Sequence, residues 1–134
     1  MDAFLQRTDI LVNLLPLTPQ TTGLVNRQVL SRLARDGALG GPVFVNAGRG
    51  GSQVEDDLVA ALRDGTLKAA SLDVFETEPL PASSPFWQME NVVVSPHVAA
   101  DSDPEAISDY VAEQITAYEA TGVLRNRVDP ATGY

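Results

Sequence analysis

The sequence predicts an α/β fold built on a parallel sheet. Three observations carry that expectation. Apolar runs rich in β-branched residues recur at Asp9 to Leu15, Val43 to Val45, Ala69 to Phe75 and Asn91 to Ser95. Helix-like spacing of apolar residues follows the first, second and last of them, and Gly or Pro punctuates each change of pattern. Nearly continuous apolar runs suit strands covered on both faces, and their alternation with helices is the pattern of right-handed crossovers.

The first strand, Asp9-Ile10-Leu11-Val12-Asn13-Leu14-Leu15, is ended by Pro16, and Thr18-Pro19-Gln20-Thr21-Thr22-Gly23 reads as loop. Asn26 is the expected N-cap of a helix through about Arg35, with Val29, Leu30 and Leu33 at helical spacing. Asp36-Gly37 and Gly40-Gly41-Pro42 stop it. The strand at Val43 runs into the small-residue turn Asn46-Ala47-Gly48-Arg49-Gly50-Gly51. Ser52 and Glu55 have capping-box spacing for a helix with Leu58, Val59 and Leu62 on its apolar face and Gly65 at its end. The third strand, Ala69 to Phe75, carries an acid, Asp73, inside an apolar run. From Glu76 to Asn91, Pro79, Pro81 and Pro85 predict loop, with Phe86, Trp87 and Met89 as packing residues. Asn91 to Ser95 is the fourth strand. Asp103-Pro104-Glu105 then opens a helix that shows Ile107, Val111, Ile115 and Tyr118 on one face and stops at Gly122.

Composition excludes several classes of function. A net charge of -9 over 134 residues, with Lys and Arg not clustered, argues against nucleic acid as a partner. No cysteine means no disulfide, thiolate metal site or cysteine nucleophile, which fits the cytoplasm. With a lone histidine and no carboxylate cluster at metal-binding spacing, no metal is expected. No signal-like start and no apolar run long enough to span a bilayer are present, so a membrane partner is not expected.

Candidate chemistry sits at the strand ends, where open parallel sheets bind ligands. Arg49 leaves the turn after the second strand, Glu78 follows the third, and His97, the only histidine, follows the fourth. Singly, each has an ordinary structural role. Together, a carboxylate beside an imidazole favours the protonated ring, which then serves as a general acid toward a carbonyl oxygen. A guanidinium holds a carboxylate with two parallel hydrogen bonds. None of the serines lies in a G-x-S-x-G elbow, which argues against a hydrolase.

The motifs Asn13-Leu14-Leu15-Pro16-Leu17-Thr18 with Thr21 and Gly23, Val45-Asn46-Ala47-Gly48-Arg49-Gly50, Leu72-Asp73-Val74-Phe75-Glu76-Thr77-Glu78-Pro79-Leu80-Pro81, Ser84-Pro85-Phe86-Trp87 and Ser95-Pro96-His97-Val98-Ala99-Ala100 are in order. Together they resemble the D-isomer-specific 2-hydroxyacid dehydrogenases. The closing Arg127-Val128-Asp129 to Gly133-Tyr134 and the interval from Glu78 to His97 resemble the glyoxylate/hydroxypyruvate reductase A branch. The resemblance implies a Rossmann-type three-layer sandwich and reduction of a 2-oxo acid, glyoxylate or hydroxypyruvate, to a D-2-hydroxy acid with hydride from NADPH, or from NADH. It implies that Arg49 binds substrate, that His97 is the acid/base and that Glu78 orients and charges His97. Asp73 matches a position at the nicotinamide end of the cofactor, and Leu15, Pro16, Ala47, Gly48 and Arg49 match positions at the cofactor cleft.

One family feature is missing from the sequence, the G-x-G-x-x-G phosphate turn, which Gly48, Gly50 and Gly51 do not match. The expectation is therefore that residues 1–134 are the C-terminal part of an NAD(P)-binding domain, with the glycine-fingerprint half and the substrate domain absent. Weak or no NADPH binding by the chain alone is expected. So is a bare edge on the first strand, leading to self-association or pairing with the missing half. The other class of reading is a non-catalytic α/β interaction module that has lost cofactor binding.

Overall fold

Four short strands, β1 (Ile10–Asn13), β2 (Val43–Asn46), β3 (Ala69–Leu72) and β4 (Val92–Val94), form one sheet in the order β1-β2-β3-β4 with every pairing parallel. The structure is a computed structural model and describes residues 1–131. Gly133-Tyr134, the last part of the closing stretch, lies outside the described residues. The helices are α1 (Asp2–Leu5), α2 (Arg27–Leu30), α3 (Glu55–Arg63) and α4 (Pro104–Thr121), with 3₁₀ turns at Gly50–Ser52 and Pro85–Gln88. Two units are present, Met1–Ala99 with the whole sheet and Ala100–Tyr134 with α4. Among the described residues, no helix is long and apolar enough to cross a membrane.

The register aligns Leu11, Phe44, Ala70 and Val92, and two residues on Asn13, Asn46, Leu72 and Val94. Phe44, Ala70 and Leu72 on this face are buried in a core with Leu58, Ala61 and Leu62 of α3, together with Leu5, Leu30, Leu67 and Phe86. Full burial of each large side chain stabilises the fold by about 2 kcal/mol. The alternate positions behave differently: Ile10, Val12 and Val93 are exposed. β1, expected to be covered on both faces, is covered on one. The reason is topological, because successive right-handed crossovers stepping one way across a sheet lay their connections on the same face.

Several boundaries differ from the sequence expectations. α2 stops at Leu30, because Arg32 and Leu33 bond back three residues to Val29 and Leu30 and the amide of Ala34 donates to Thr8 O. Its N-cap is Asn26 as expected, with the side chain accepting from Gln28 and Val29. Ser52 does not cap α3. The N-cap is Val54, and the first helical amide, that of Glu55, donates instead to the Glu76 carboxylate at 2.9 Å. Glu55 returns the bond by accepting from the Glu76 amide at 2.8 Å. Asp73 lies just beyond β3 rather than within it. The proline-rich stretch holds one 3₁₀ turn, because Pro85 suits its first position and the Ser84 hydroxyl accepts from Phe86. α4 begins on Asp103 and ends at Gly122, whose φ of 70° is left-handed. No residue of α4 is buried.

Candidate active site

The sheet's carboxyl edge is drawn tight by two glycines. A Cβ on Gly48 would lie 2.8 Å from the carbonyl oxygen of Leu15, and one on Gly50 would lie 1.9 Å from that of Phe75. The turn after β2 thus touches the segments leaving β1 and β3, and only residues without a side chain permit that approach. These glycines serve contact between neighbouring strand exits.

Beyond β3 the chain turns so that Phe75 N–H donates to Glu78 Oε1 at 2.9 Å. The other carboxylate oxygen, Oε2, lies 2.8 Å from His97 Nδ1, so the ring N–H donates to it. These bonds, that from His97 first, hold the Glu78 carboxyl below the ordinary carboxylate range, against burial and the nearby charge of Asp73. With Nδ1 engaged, Nε2 of His97 is the nitrogen left for a ligand.

His97 stands in a left-handed backbone conformation with φ of 57°, uncommon for a residue with a side chain. Asp73 explains how it is kept there. Its Oδ1 accepts from the Ser95 hydroxyl and, at 3.0 Å, from the Val98 amide, and its Oδ2 accepts from the Ala99 amide at 2.9 Å. One buried carboxylate therefore clamps the chain on both sides of the histidine. Burial pushes the Asp73 carboxyl up, but the Ser95 hydroxyl, the two amides and His97 together hold it below its usual value.

Asp73, Glu78 and His97 line one pocket of about 730 Å³, whose walls include Phe75, Leu80 and Trp87. Phe86 is buried with its ring 6.2 Å from that of Phe75. Trp87, expected as packing, is instead half-exposed on the pocket wall, with Nε1 donating to Pro81 O at 2.9 Å. Arg49 is not among the residues lining this pocket. It is exposed at the turn after β2, and its guanidinium Nη1 donates to Gly48 O at 2.8 Å. Leu15 and Pro16 are exposed at the exit of β1, where Leu15 borders a second hollow of about 380 Å³. Ala47 is half-buried, with its amide on Asn13 O at 3.1 Å, and Gly48 is buried. Among the described residues, no group of three or more His, Asp or Glu could hold a metal ion.

Sequence reasoning missed the support beneath the turn. Asn13, Asn46, Ser52 and Gln53 are buried and bonded to one another: Asn13 Nδ2 donates to Asn46 Oδ1 at 2.8 Å and to Ser52 Oγ at 2.7 Å, and Asn46 Nδ2 donates to Gln53 Oε1 at 2.8 Å. The available signal was an asparagine within the first apolar run and another directly after the second, at what proves to be paired register.

Four parallel strands with helices between them, and polar side chains gathered at the sheet's carboxyl edge, define the class: an α/β domain of the nucleotide-binding, Rossmann-like kind. The family pattern described as D-isomer specific 2-hydroxyacid dehydrogenase, NAD binding domain, matches residues 1–99, and the chain belongs to that family. Glyoxylate/hydroxypyruvate reductase A of Serratia proteamaculans (strain 568) is 46% identical over 132 residues, which are 98% of this chain and 41% of that protein. A probable 2-hydroxyacid dehydrogenase from Rhizobium etli CFN 42, solved with NADP, HEPES and L(+)-tartaric acid, superposes with a TM-score of 0.93 at 55% identity, over 99% of this chain and 42% of that one. The NADPH-dependent glyoxylate/hydroxypyruvate reductase of Sinorhizobium meliloti, solved with NADP and sulfate, gives 0.96 at 55% identity with the same coverage, 99% and 42%. The chain thus spans about two fifths of the length of these relatives.

Proposed function

We propose that this chain is the C-terminal part of the NAD(P)-binding domain of a 2-hydroxyacid dehydrogenase that reduces glyoxylate or hydroxypyruvate with NADPH, NADH being the other candidate. The observation that carries the reading is the 2.8 Å pairing of His97 with Glu78 in a pocket shared with Asp73. Its relatives' length, their names and their bound NADP support it. The glycine-fingerprint half and the substrate domain belong to the remainder of such an enzyme.

The residues present fit a nicotinamide. A carboxylate offers about four lone-pair directions, and Asp73 uses three of them, leaving Oδ2 one for a carboxamide N–H. Phe75, Leu80, Val94 and Pro96 give an apolar wall for a flat ring. Leu15, Pro16, Ala47 and Gly48 would line the cofactor cleft at the exits of β1 and β2. When bound, the cofactor supplies the hydride. His97 presents Nε2 to the substrate's carbonyl oxygen as the proton donor, and Glu78, accepting from Nδ1, fixes the orientation of the ring. Arg49, freed from its contact with Gly48 O, takes the substrate carboxylate with two parallel hydrogen bonds. We assign the protein to the cytoplasm, on its cysteine-free composition. To the bare edge of β1 we assign pairing with the rest of the enzyme or with a second copy.

The test is the intact mass of the polypeptide in its natural source, followed by NADPH oxidation by that polypeptide with glyoxylate and with hydroxypyruvate. A chain more than twice as long that oxidises NADPH with either substrate supports the reading. A chain of that length without such oxidation overturns it.

A further inference from the structure

Arg49 is exposed, yet its backbone is the most heavily tied of any residue in its turn. Its carbonyl oxygen accepts from Ser52 Oγ at 2.6 Å, from Asn46 Nδ2 at 3.3 Å and from the Ser52 amide at 3.2 Å. The side chains that reach it are buried, at 0% exposure for both Asn46 and Ser52. Behind them stand Asn13, whose Nδ2 bonds both, and Gln53, which accepts from Asn46 and donates through Nε2 to Val74 O at 3.2 Å. Asn46 Oδ1 also accepts from the Gly48 amide at 3.0 Å, so both hydrogens of its amide group and both directions of its oxygen are used.

A core cluster with every polar group satisfied adds little net stability over an apolar one, but it admits a single arrangement. The groups fixed here are the carbonyl of Arg49 and, through Val74, the backbone beside Phe75. Phe75 N–H is the donor to Glu78, and Gly50 is pressed against Phe75 O. The bonded path therefore runs from β1 through the turn that carries the arginine to the loop that holds the carboxylate of the dyad.

We infer that Asn13, Asn46, Ser52 and Gln53 act as one buried positioning unit that sets Arg49 and ties its turn to the loop holding Glu78. None of the four touches substrate; they act through Arg49 and Glu78. Their purpose rests on the reading of Arg49 as substrate anchor, whereas the coupling itself stands on geometry alone.

Amide hydrogen exchange on this chain tests the coupling. Ser52→Ala removes one hydroxyl with almost no change in volume. It is expected to speed exchange at the Gly48 and Gln53 amides by about tenfold while Leu58 and Asp64 in and beside α3 keep the parent rates, since local openings report the bonds they break. Gln53→Leu is expected to do the same and also to speed the Phe75 amide. Unchanged rates at Gly48 and Gln53 in Ser52→Ala, or an equal rise at every amide, overturn the inference, and so does an unchanged Phe75 rate in a folded Gln53→Leu. In glyoxylate reduction by the polypeptide that carries this chain, Ser52→Ala is expected to raise KM by more than it lowers kcat, and the opposite split overturns the assignment to Arg49. If the parent polypeptide reduces neither substrate, the functional reading fails and the exchange rates still decide the coupling.

Discussion

The two flanks of the sheet are built by opposite means. Where β3 and β4 end, polar groups are bonded at close range, and Asp73 clamps the backbone on either side of His97. At β1, the residues on the uncovered face are apolar and exposed: Val12 is 53% accessible and the following Leu14 is 69%. The difference teaches that the His97 corner is held by contacts within this chain, while the β1 flank leaves its apolar side chains uncovered. Substitutions at the first flank should alter chemistry and local order, and those at the second should alter association.

The largest effect is expected at His97. His97→Asn keeps a polar side chain but removes Nε2, and if His97 is the general acid we propose, glyoxylate reduction by the polypeptide that carries this chain should lose about 10²–10⁴-fold in kcat, the usual contribution of such a group. Near-parent NADPH oxidation in the variant would remove His97 from the mechanism. Glu78→Gln should cost less. It keeps an oxygen for Phe75 N–H but loses the charged acceptor that holds His97 Nδ1, so a fall in kcat of about 10-fold to 100-fold is expected in the same assay. A kcat at the parent level would show that His97 is oriented without Glu78.

How much of this was legible in the sequence differs between the flanks for a physical reason. The parallel sheet and the placing of Glu78 and His97 at strand ends follow from alternating apolar runs and from the rule that sites lie there, both of which are local patterns, whereas the orienting role of Glu78 came from the family resemblance. The uncovered face of β1 was not legible, because a run such as Ile10-Leu11-Val12 records fitness for burial on both faces and not whether a neighbour is present. Ser52 has the spacing of a cap, yet the close approach of Gly50 to Phe75 makes it a buried link to Asn13 and Arg49. That depends on two distant strand exits meeting. Asp73 was assigned within a strand because its neighbours are apolar, and its clamp on Val98 and Ala99 spans 25 and 26 residues.

Asp73→Asn probes that clamp through stability. An asparagine replaces one acceptor oxygen by a donor that faces the Ser95 hydroxyl or a backbone amide, and the expected loss is about 1–3 kcal/mol in denaturant unfolding near neutral pH. The sign of the pH dependence follows from the lowered carboxyl of Asp73 in the folded state. The unfolded chain then binds more protons than the folded chain across the interval between the two values. Stability from this group is complete above the ordinary carboxylate value of about 3.9 and is lost as pH falls through the lower folded one. The variant should therefore show a smaller loss of stability on acidification below about pH 4 than the parent. Parallel pH profiles for the two proteins would show that the Asp73 charge does not brace the loop.

The smallest effect on folding, and the sharpest test of the β1 flank, is expected from Val12→Lys. Val12 is directed away from the face that carries Leu11 and Asn13, and it is already half-exposed, so a lysine there buries no charge in this chain. The stability change should stay within about 0.5 kcal/mol, as for surface positions outside special features. An ammonium on an open edge strand nevertheless opposes the addition of another strand or an apolar face, because it would have to be desolvated. Sedimentation velocity across a range of concentrations should thus show self-association by the parent chain and less of it in Val12→Lys, with the thermal midpoint unchanged. Equal association of the two proteins would assign the contact elsewhere, whereas a large fall in midpoint would mean that this face is already covered within the chain.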